Sequence, residues 1–154
     1  MLHPTVPRDT LLTIGEAADI LGISIQTLRL YERMGLVLPY RRDSKHRRFS
    51  RIDLERIKCV RSMVADEKVS IAAIGRLLSL IPCWRIKNCP SDARVSCAAF
   101  QQHEKPCWVV TGRSWECKNA ECRECPVYTD VADCHTLKQT IASCTLPLHV
   151  DGDE

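Results

Sequence analysis

Apolar positions recur every three or four residues in four successive stretches of the first 81 residues. The first two stretches hold Ile14, Ala17, Ala18 and Leu21, then Ile25 and Leu28. The third and fourth hold Leu54, Ile57, Val60 and Val64, then Ile71, Ile74, Leu77, Leu78 and Ile81. Because residues three or four apart share one face of a helix, this pattern predicts four amphipathic helices.

Residues that begin and end helices flank these stretches. A hydroxyl residue that can cap a helix precedes each one, namely Thr13, Ser24, Ser50 and Ser70. Gly22 ends the first helix and Gly35 the second. Two short helices joined by a glycine-containing turn are typical of a helix-turn-helix unit, whose second helix enters the major groove of DNA.

The segment between the second and third helices is strongly basic. It runs from Leu36 to Phe49, and only Asp43 opposes its positive residues, which are Arg41, Arg42, Lys45, Arg47 and Arg48. We interpret this segment as a short β-hairpin, or wing, beside the second helix. A solvated charged loop is the alternative, but a basic strip fused to a helix-turn-helix favours contact with nucleic acid.

Charge is distributed unevenly along the 154 residues. Residues 1–80 hold 14 Lys and Arg against 9 Asp and Glu, a net charge of +5, whereas residues 81–154 hold 8 against 10, a net charge of −2. A basic module suits binding to a polyanion. Since no apolar run approaches the roughly 18–20 residues that span a bilayer, we expect a soluble, cytoplasmic protein without a membrane partner.

Cysteine is the most informative residue type in the second half. Nine of the ten cysteines, and all three tryptophans, follow residue 82, while Cys59 lies in the third helix. This composition predicts a DNA-binding domain over 11–81 and a cysteine-rich domain over 82–145, with tails at 1–10 and 146–154. The fold class is then mainly α.

Several motifs in order resemble the N-terminal winged helix-turn-helix domain of the MerR family of bacterial transcription regulators. They are LTIGEAADILGISIQTLRLYERMGL, a basic wing ending in RRFS, then DLERI and IAAIGRLL. The resemblance covers about residues 11–80. It implies a homodimer that binds double-stranded promoter DNA and acts indirectly on RNA polymerase, by bending and untwisting a promoter whose elements are badly phased.

The resemblance also implies which side chains contact DNA. On the second helix, Ser24, Gln26, Thr27 and Arg29 would face the groove, and Tyr31 would reach a phosphate, with helix packing as the alternative for Thr27 and Tyr31. Arg41, Arg42, Lys45, Arg47 and Arg48 would contact the backbone from the wing. The chain departs from the family where relatives have a long dimerisation helix, because Pro82 and Pro90 interrupt it.

The cysteine-rich half holds few large aliphatic residues, so we expect a metal, a cluster or disulfides to stabilise it. Its most informative spacing is Cys117-x4-Cys122-x2-Cys125, which partly matches the plant-type [2Fe–2S] pattern. We therefore predict an iron–sulfur cluster, of the 2Fe-2S or 4Fe-4S type. Two four-ligand sets are conceivable, Cys83, Cys89, Cys97 and Cys107, then Cys117, Cys122, Cys125 and Cys134.

Two other chemistries remain open for these thiols. Zinc suits four thiolates or a Cys/His mixture, with His103 or His135 available. Reversible thiol–disulfide exchange is the third possibility. Cys59, within a predicted helix, is expected to be a buried structural thiol.

These observations predict a DNA-binding transcription regulator whose cysteine-rich half senses redox state or a metal. The alternative keeps the DNA binding but makes that half a structural, zinc-stapled platform for dimerisation or partner binding. An oxidoreductase attached to DNA is a third class. We do not expect an enzyme, because no cofactor loop and no nucleophile with an orienting base is visible.

Overall fold

The computed structural model describes residues 9–41, 43 and 45–145, without the side chains of Cys144 and Thr145. Residues 1–8 and 146–154, which belong to the predicted tails, and the wing residue Arg42 lie outside this described part. The protein is mainly helical, with a helix-turn-helix unit at its N-terminal end and a cysteine-rich region after it, which confirms the predicted fold class.

The four predicted helices are all present. They are α1 (Ile14–Leu21), α2 (Ile25–Arg33), α3 (Arg51–Ala65) and α4 (Ile71–Ser79). Each begins at the hydroxyl residue expected from the sequence, whose side-chain oxygen accepts a backbone N–H of the first turn. Thr13 with Glu16 and Ser50 with Asp53 form complete capping boxes. Gly22, at φ 63°, ends α1 in the left-handed conformation.

The wing (residues 36–49) is built on a small antiparallel sheet. Strand β1 (Leu12–Thr13) pairs with β3 (Arg47–Phe49), and β3 also pairs with β2 (Tyr40–Arg41), giving the order β1-β3-β2. In this register Leu12 lies opposite Phe49, and Tyr40 lies opposite Arg48. Phe49 is completely buried, so it fixes the wing to the helices.

The cysteine-rich half (residues 82–145) consists of short helices rather than one long helix. They are α5 (Cys83–Ile86), α6 (Ser91–Val95), α7 (Ala98–Gln101), α8 (Pro126–Thr129) and α9 (Cys134–Thr145). Single 3-10 turns occur at Cys107–Val109 and Cys122–Glu124. Pro82 and Pro90 both stand immediately before a short helix, where a ring without an N–H is tolerated.

One hydrophobic core runs through both halves of the described chain. Leu28, Leu36 and Ile57 of the N-terminal half share it with Trp108, Tyr128 and other residues of the cysteine-rich half. Burial of apolar surface therefore holds the two halves against each other. The division into two domains near residue 81 stays a prediction.

A disulfide also joins the two halves. It links Cys59 of α3 to Cys134 at the start of α9, with a Cα–Cα distance of 5.2 Å. Cys59 is buried, as expected for a structural cysteine, but its sulfur is bonded rather than free. Within residues 9–41, 43 and 45–145, no helix is both long enough and apolar enough to cross a membrane.

Candidate nucleic-acid interface and thiol cavity

Helix α2 presents two different faces. Leu28 and Tyr31 are buried on the inner face, at 0% and 4% exposure. Ser24, Gln26 and Arg29 are exposed on the outer face, and Thr27 is half-buried. Ser24 accepts the amide of Thr27 at 3.1 Å, which places both hydroxyls at the helix N-terminus. The outer face is free to enter a groove, whereas Tyr31 packs in the core, as in the alternative considered for it.

The wing is tied to α2 by one carboxylate. Glu32, near the end of α2, accepts a hydrogen bond from Arg41 at 2.9 Å and another from Arg47. The Glu32 side chain is 10% exposed, so this charge-assisted pair is partly protected from solvent screening. Lys45 is exposed and Arg48 half-buried. The pairing sets the orientation of the wing relative to α2.

Seven cysteines of the cysteine-rich half line a single cavity of about 40 Å³, which we call the thiol cavity. Aromatic and apolar side chains complete its wall, including Trp84, Phe100, Trp108, Val127 and Tyr128. The seven cysteines are Cys83, Cys89, Cys97, Cys107, Cys117, Cys122 and Cys125, and none of them forms a disulfide. They include seven of the eight residues predicted as metal ligands.

The eighth predicted ligand lies elsewhere. Cys134 is bonded to Cys59 and does not line the thiol cavity. The structure therefore brings together the first predicted set and three members of the second, in one place rather than two. His103 and His135 are exposed and do not line the thiol cavity either.

Short helices position these cysteines. Cys83 and Cys122 are the first residues of α5 and of a 3-10 turn, and Cys125 immediately precedes α8. Cys97 precedes α7 in the same way. Burial opposes ionisation of Cys97, but backbone N–H groups, that of Ser114 foremost, donate to its sulfur and lower the pKa of its thiol.

Two cationic side chains contact thiols of the cavity. Lys87 Nζ donates to Cys117 Sγ at 3.3 Å, and Arg113 Nη1 donates to Cys122 Sγ at 2.6 Å. Burial works against the charge of Lys87, but its hydrogen bond to Cys117 and the neighbouring acidic groups, Glu116 among them, together outweigh burial and raise the pKa of the ammonium. Each of the two contacts therefore places a positive charge beside a sulfur atom of the thiol cavity.

Burial keeps two other thiols of the cavity, Cys83 and Cys107, in the neutral form. Burial is the main reason that the pKa of Cys83 rises to about 11, and burial raises the pKa of Cys107 even further. Both are therefore protonated near neutral pH, and a metal that binds them must displace their protons.

The spacing of the thiols bears on what the cavity can hold. No three His, Cys, Asp or Glu side chains of the described residues stand close enough together to hold one metal ion. Seven thiols nevertheless surround one space. A centre of several metal atoms needs its ligands farther apart than a single tetrahedral ion does, since bridging atoms lie between them.

Sequence reasoning missed the residues that join the cavity to the DNA-binding unit. Arg56 of α3 is 1% exposed and donates to the carbonyl oxygens of Tyr128 at 2.6 Å and Val131 at 3.0 Å. Its guanidinium lies 4.6 Å from the ring centroid of Trp108 and 4.4 Å from that of Tyr128. The only signal in the sequence is that each aromatic residue stands near a cysteine of the cavity.

Comparison with known proteins identifies the first part of the chain. Residues 12–81 match the family model described as the MerR HTH family regulatory protein. The heat shock protein HspR of Streptomyces coelicolor is 40% identical over 67 residues, covering 44% of each chain. The HTH-type transcriptional regulator MlrA of Escherichia coli is 39% identical over 70 residues, covering 45% of this chain and 28% of MlrA.

A third relative extends into the cysteine-rich half. The heavy metal-dependent transcription regulator 2 of Rhizobium meliloti is 27% identical over 135 residues, covering 79% of this chain and 87% of the relative. Our chain spans less than half the length of HspR and of MlrA. Among solved structures, none matches the chain significantly.

Proposed function

Because residues 12–81 form a helix-turn-helix domain of the MerR family, we propose that the chain is a transcription regulator that binds promoter DNA as a homodimer. Its cysteine-rich half binds a metal centre in the thiol cavity, and the state of that centre changes the affinity for DNA. This proposal is supported by one observation. Seven cysteines that form no disulfide line a single cavity, and the wall of that cavity shares a hydrophobic core with the DNA-binding unit.

DNA contact uses the exposed residues of α2 and the wing. Gln26 and Arg29 read base edges from the major groove, and Ser24 and Thr27 contact the groove or its backbone near the helix N-terminus. Lys45 and Arg48 contact phosphates, which supply most of the affinity and make it depend on salt. Arg41 and Arg47 combine such a contact with their hydrogen bonds to Glu32.

Thiophilic metals are the chemical class that the cavity suits. Thiolates select zinc, cuprous ions and iron–sulfur clusters over hard cations. The relative from Rhizobium meliloti, named as heavy metal-dependent, matches the chain into this region and supports a metal-responsive role. When bound, the metal centre supplies either a redox-active cluster or a metal ion that can exchange.

We favour an iron–sulfur cluster over a single zinc ion. The thiols are too dispersed for one ion but surround one cavity, and Lys87 and Arg113 donate hydrogen bonds to two of their sulfurs. Such hydrogen bonds are one of the means by which proteins adjust the potential of a cluster. In this arrangement four of the seven cavity cysteines, Cys107 among them, supply the ligands, and the other three are available for exchange.

The test is purification without oxygen, followed by metal and sulfide analysis, absorption spectroscopy and operator affinity before and after oxidation. We expect iron and sulfide, visible absorption, and an affinity that changes on oxidation. Cys107→Ser should abolish the centre, whereas the matched double variant Cys59→Ser/Cys134→Ser, outside the cavity, should retain it. One zinc per chain that oxidants do not disturb would support the structural alternative, and metal-free protein with unchanged affinity would refute sensing.

A further inference from the structure

The cysteine-rich half contacts the wing directly, through Arg123. This residue is the middle one of the 3-10 turn Cys122–Glu124, and its Nη1 donates to the carbonyl oxygen of Pro39 at 3.2 Å. Its guanidinium also lies over the ring of Tyr40, in β2, at 4.8 Å from the ring centroid. One side chain of the cysteine-rich half therefore contacts both the first strand of the wing and the residue before that strand.

All three guanidinium nitrogens of Arg123 donate hydrogen bonds within the protein. Nε and Nη2 donate to the two carboxylate oxygens of Glu121, at 2.8 and 3.0 Å, and Nη1 donates to Pro39. A bidentate pair of this kind fixes the plane of the guanidinium and compensates its charge. Arg123 is therefore oriented as a support for the wing rather than as a free cation that reaches toward a phosphate.

The wing is held from α2 as well. Glu32 of α2 accepts hydrogen bonds from Arg41 in β2 and from Arg47 in β3. Tyr40 and Arg41 are neighbours in β2, so one residue ties this strand to the cysteine-rich half and the next ties it to α2. Separate contacts from the two halves of the chain thus fix the position of β2.

The cysteine-rich half also holds the segment that leads from α2 into the wing. Trp108 Nε1 donates to the carbonyl oxygen of Gly35 at 2.8 Å, and Tyr128 Oη accepts the amide of Leu38 at 2.8 Å. Both aromatic side chains are buried, so replacing either one would open the core. The side chain of Arg123 is 23% exposed, and it can be replaced without opening the core.

We propose that Arg123 is a positioning residue for DNA binding, which holds β2 so that the wing meets the DNA backbone already oriented. This inference rests on the proposed function, since it requires the wing to contact DNA. A wing that is fixed in advance loses less conformational freedom when the complex forms, and affinity rises without any added contact to DNA. The cysteine-rich half then contributes to DNA binding whether or not the thiol cavity holds a metal.

A direct contact between Arg123 and a phosphate is the alternative, and the two roles differ in two measurable ways. Loss of a phosphate contact reduces the slope of log affinity against log salt by about 1. Loss of a support leaves the phosphate contacts of the bound complex in place, so the slope stays the same. A direct contact would also act independently of Tyr40, whereas a support acts through that ring.

The experiment uses the full chain, purified without oxygen, and a duplex selected for binding from a random-sequence pool. Arg123→Met removes both contacts with the wing, Tyr40→Leu removes the ring on the other side of the same contact, and the double variant completes a double-mutant cycle. Lys118→Met removes an exposed cation from the same half of the chain and is the matched control. Metal content is measured for each protein, so that all are compared in the same state.

We expect Arg123→Met to bind the selected duplex about fivefold more weakly than wild type, the size of effect expected from one cation–π contact and one hydrogen bond. Lys118→Met should bind as wild type does, and the salt slope should be the same in all variants. Tyr40→Leu should also weaken binding, and the double variant should bind no more weakly than Arg123→Met. Hydrogen exchange in the free protein should be faster in β2 and β3 of Arg123→Met but unchanged in α1, which a general loss of stability would not produce.

Equal binding by wild type and Arg123→Met would overturn this inference alone. A salt slope reduced by about 1, with additive losses in the cycle, would also overturn it, because Arg123 would then contact a phosphate itself. If Arg123→Met does not fold, Tyr40→Leu decides the point, and binding equal to that of wild type would contradict the support. A wild-type protein that binds no duplex would overturn the proposed function together with this inference. If wild type binds DNA but ignores metal and oxidant, only sensing fails, and weaker binding by Arg123→Met still supports the inference.

Discussion

The thiols of the cavity differ from one another in the balance between burial and hydrogen-bond donors at each sulfur. Cys97 is buried, yet backbone N–H groups lower the pKa of its thiol despite that burial. Burial dominates at Cys83 and Cys107 and raises the pKa of both. Burial and neighbouring N–H donors together therefore decide which thiols ionise first.

This difference predicts the order of alkylation. With a pKa near 11 instead of 9.0, Cys83 should carry about 100-fold less thiolate at pH 8 and react correspondingly slowly with iodoacetamide. Cys97, with its lowered pKa, is the cavity thiol for comparison. The alkylation rate of each cysteine is measured by peptide mass spectrometry on the metal-free protein. Equal rates at Cys83 and Cys97 would show that access of the reagent, and not the pKa, controls the reaction of both thiols.

Gly35 shows how one residue can serve the helix, the wing and the cavity wall together. It has φ +73°, a conformation that side chains disfavour, and an added Cβ would stand 2.8 Å from Cγ1 of Val109. Its carbonyl oxygen accepts the indole N–H of Trp108. The close packing of the cavity wall on the end of α2 thus depends on glycine here.

At the scale of elements, Gly35→Ala should lower the free energy of unfolding by about 2 kcal/mol, through strain and displacement of Val109. Gly15→Ala is the matched control, because Gly15 lies in α1 and an added Cβ would stand 4.0 Å from its nearest neighbour, Thr13 Oγ1. That change should be neutral or stabilise by up to about 1 kcal/mol. Urea denaturation measures the free energy of unfolding of both variants. A similar loss in Gly35→Ala and Gly15→Ala would contradict the close approach of Val109 to residue 35.

Helix α2 and the wing should contribute differently to DNA binding. Arg48→Ala should weaken binding about equally for all sequences and reduce the slope of log affinity against log salt by about 1, since one phosphate contact is lost. Arg29→Ala should instead reduce discrimination between sequences by about 1–3 kcal/mol. Salt titrations on selected and scrambled duplexes separate these two results. If Arg29→Ala changed the salt slope and Arg48→Ala changed the discrimination between sequences, the two roles would be exchanged.

At the scale of the whole molecule, the disulfide between Cys59 and Cys134 closes a loop of 75 residues that contains the entire thiol cavity. Cross-linking residues so far apart restricts the unfolded chain. It also joins α9 to α3, the helix that carries Asp53 and Arg56.

Loss of this disulfide should lower the free energy of unfolding by about 2–4 kcal/mol. The phosphine reductant TCEP should therefore lower the melting temperature of metal-free wild type but not of Cys59→Ser/Cys134→Ser, which should already melt lower. If reduction left wild type unchanged, the disulfide would contribute nothing to stability.

The local structure of residues 12–81 follows from short-range patterns in the amino-acid sequence. The caps at Thr13, Ser24, Ser50 and Ser70 and the apolar faces of α1 to α4 depend on residues three or four apart, so their energetics can be read along the chain. The basic wing was predictable for the same reason, since its strands are neighbours in sequence.

The arrangement of the second half depends instead on contacts between residues that are far apart in the chain. Cys134 falls within ten residues of Cys125, yet it pairs with Cys59 and leaves seven other thiols around one cavity. Arg56 meets Tyr128 across 72 residues, and α8, which carries Tyr128, is too short to have a strong pattern of its own. Contacts over such separations depend on how the whole core packs, and the spacing of cysteines along a chain does not specify that packing.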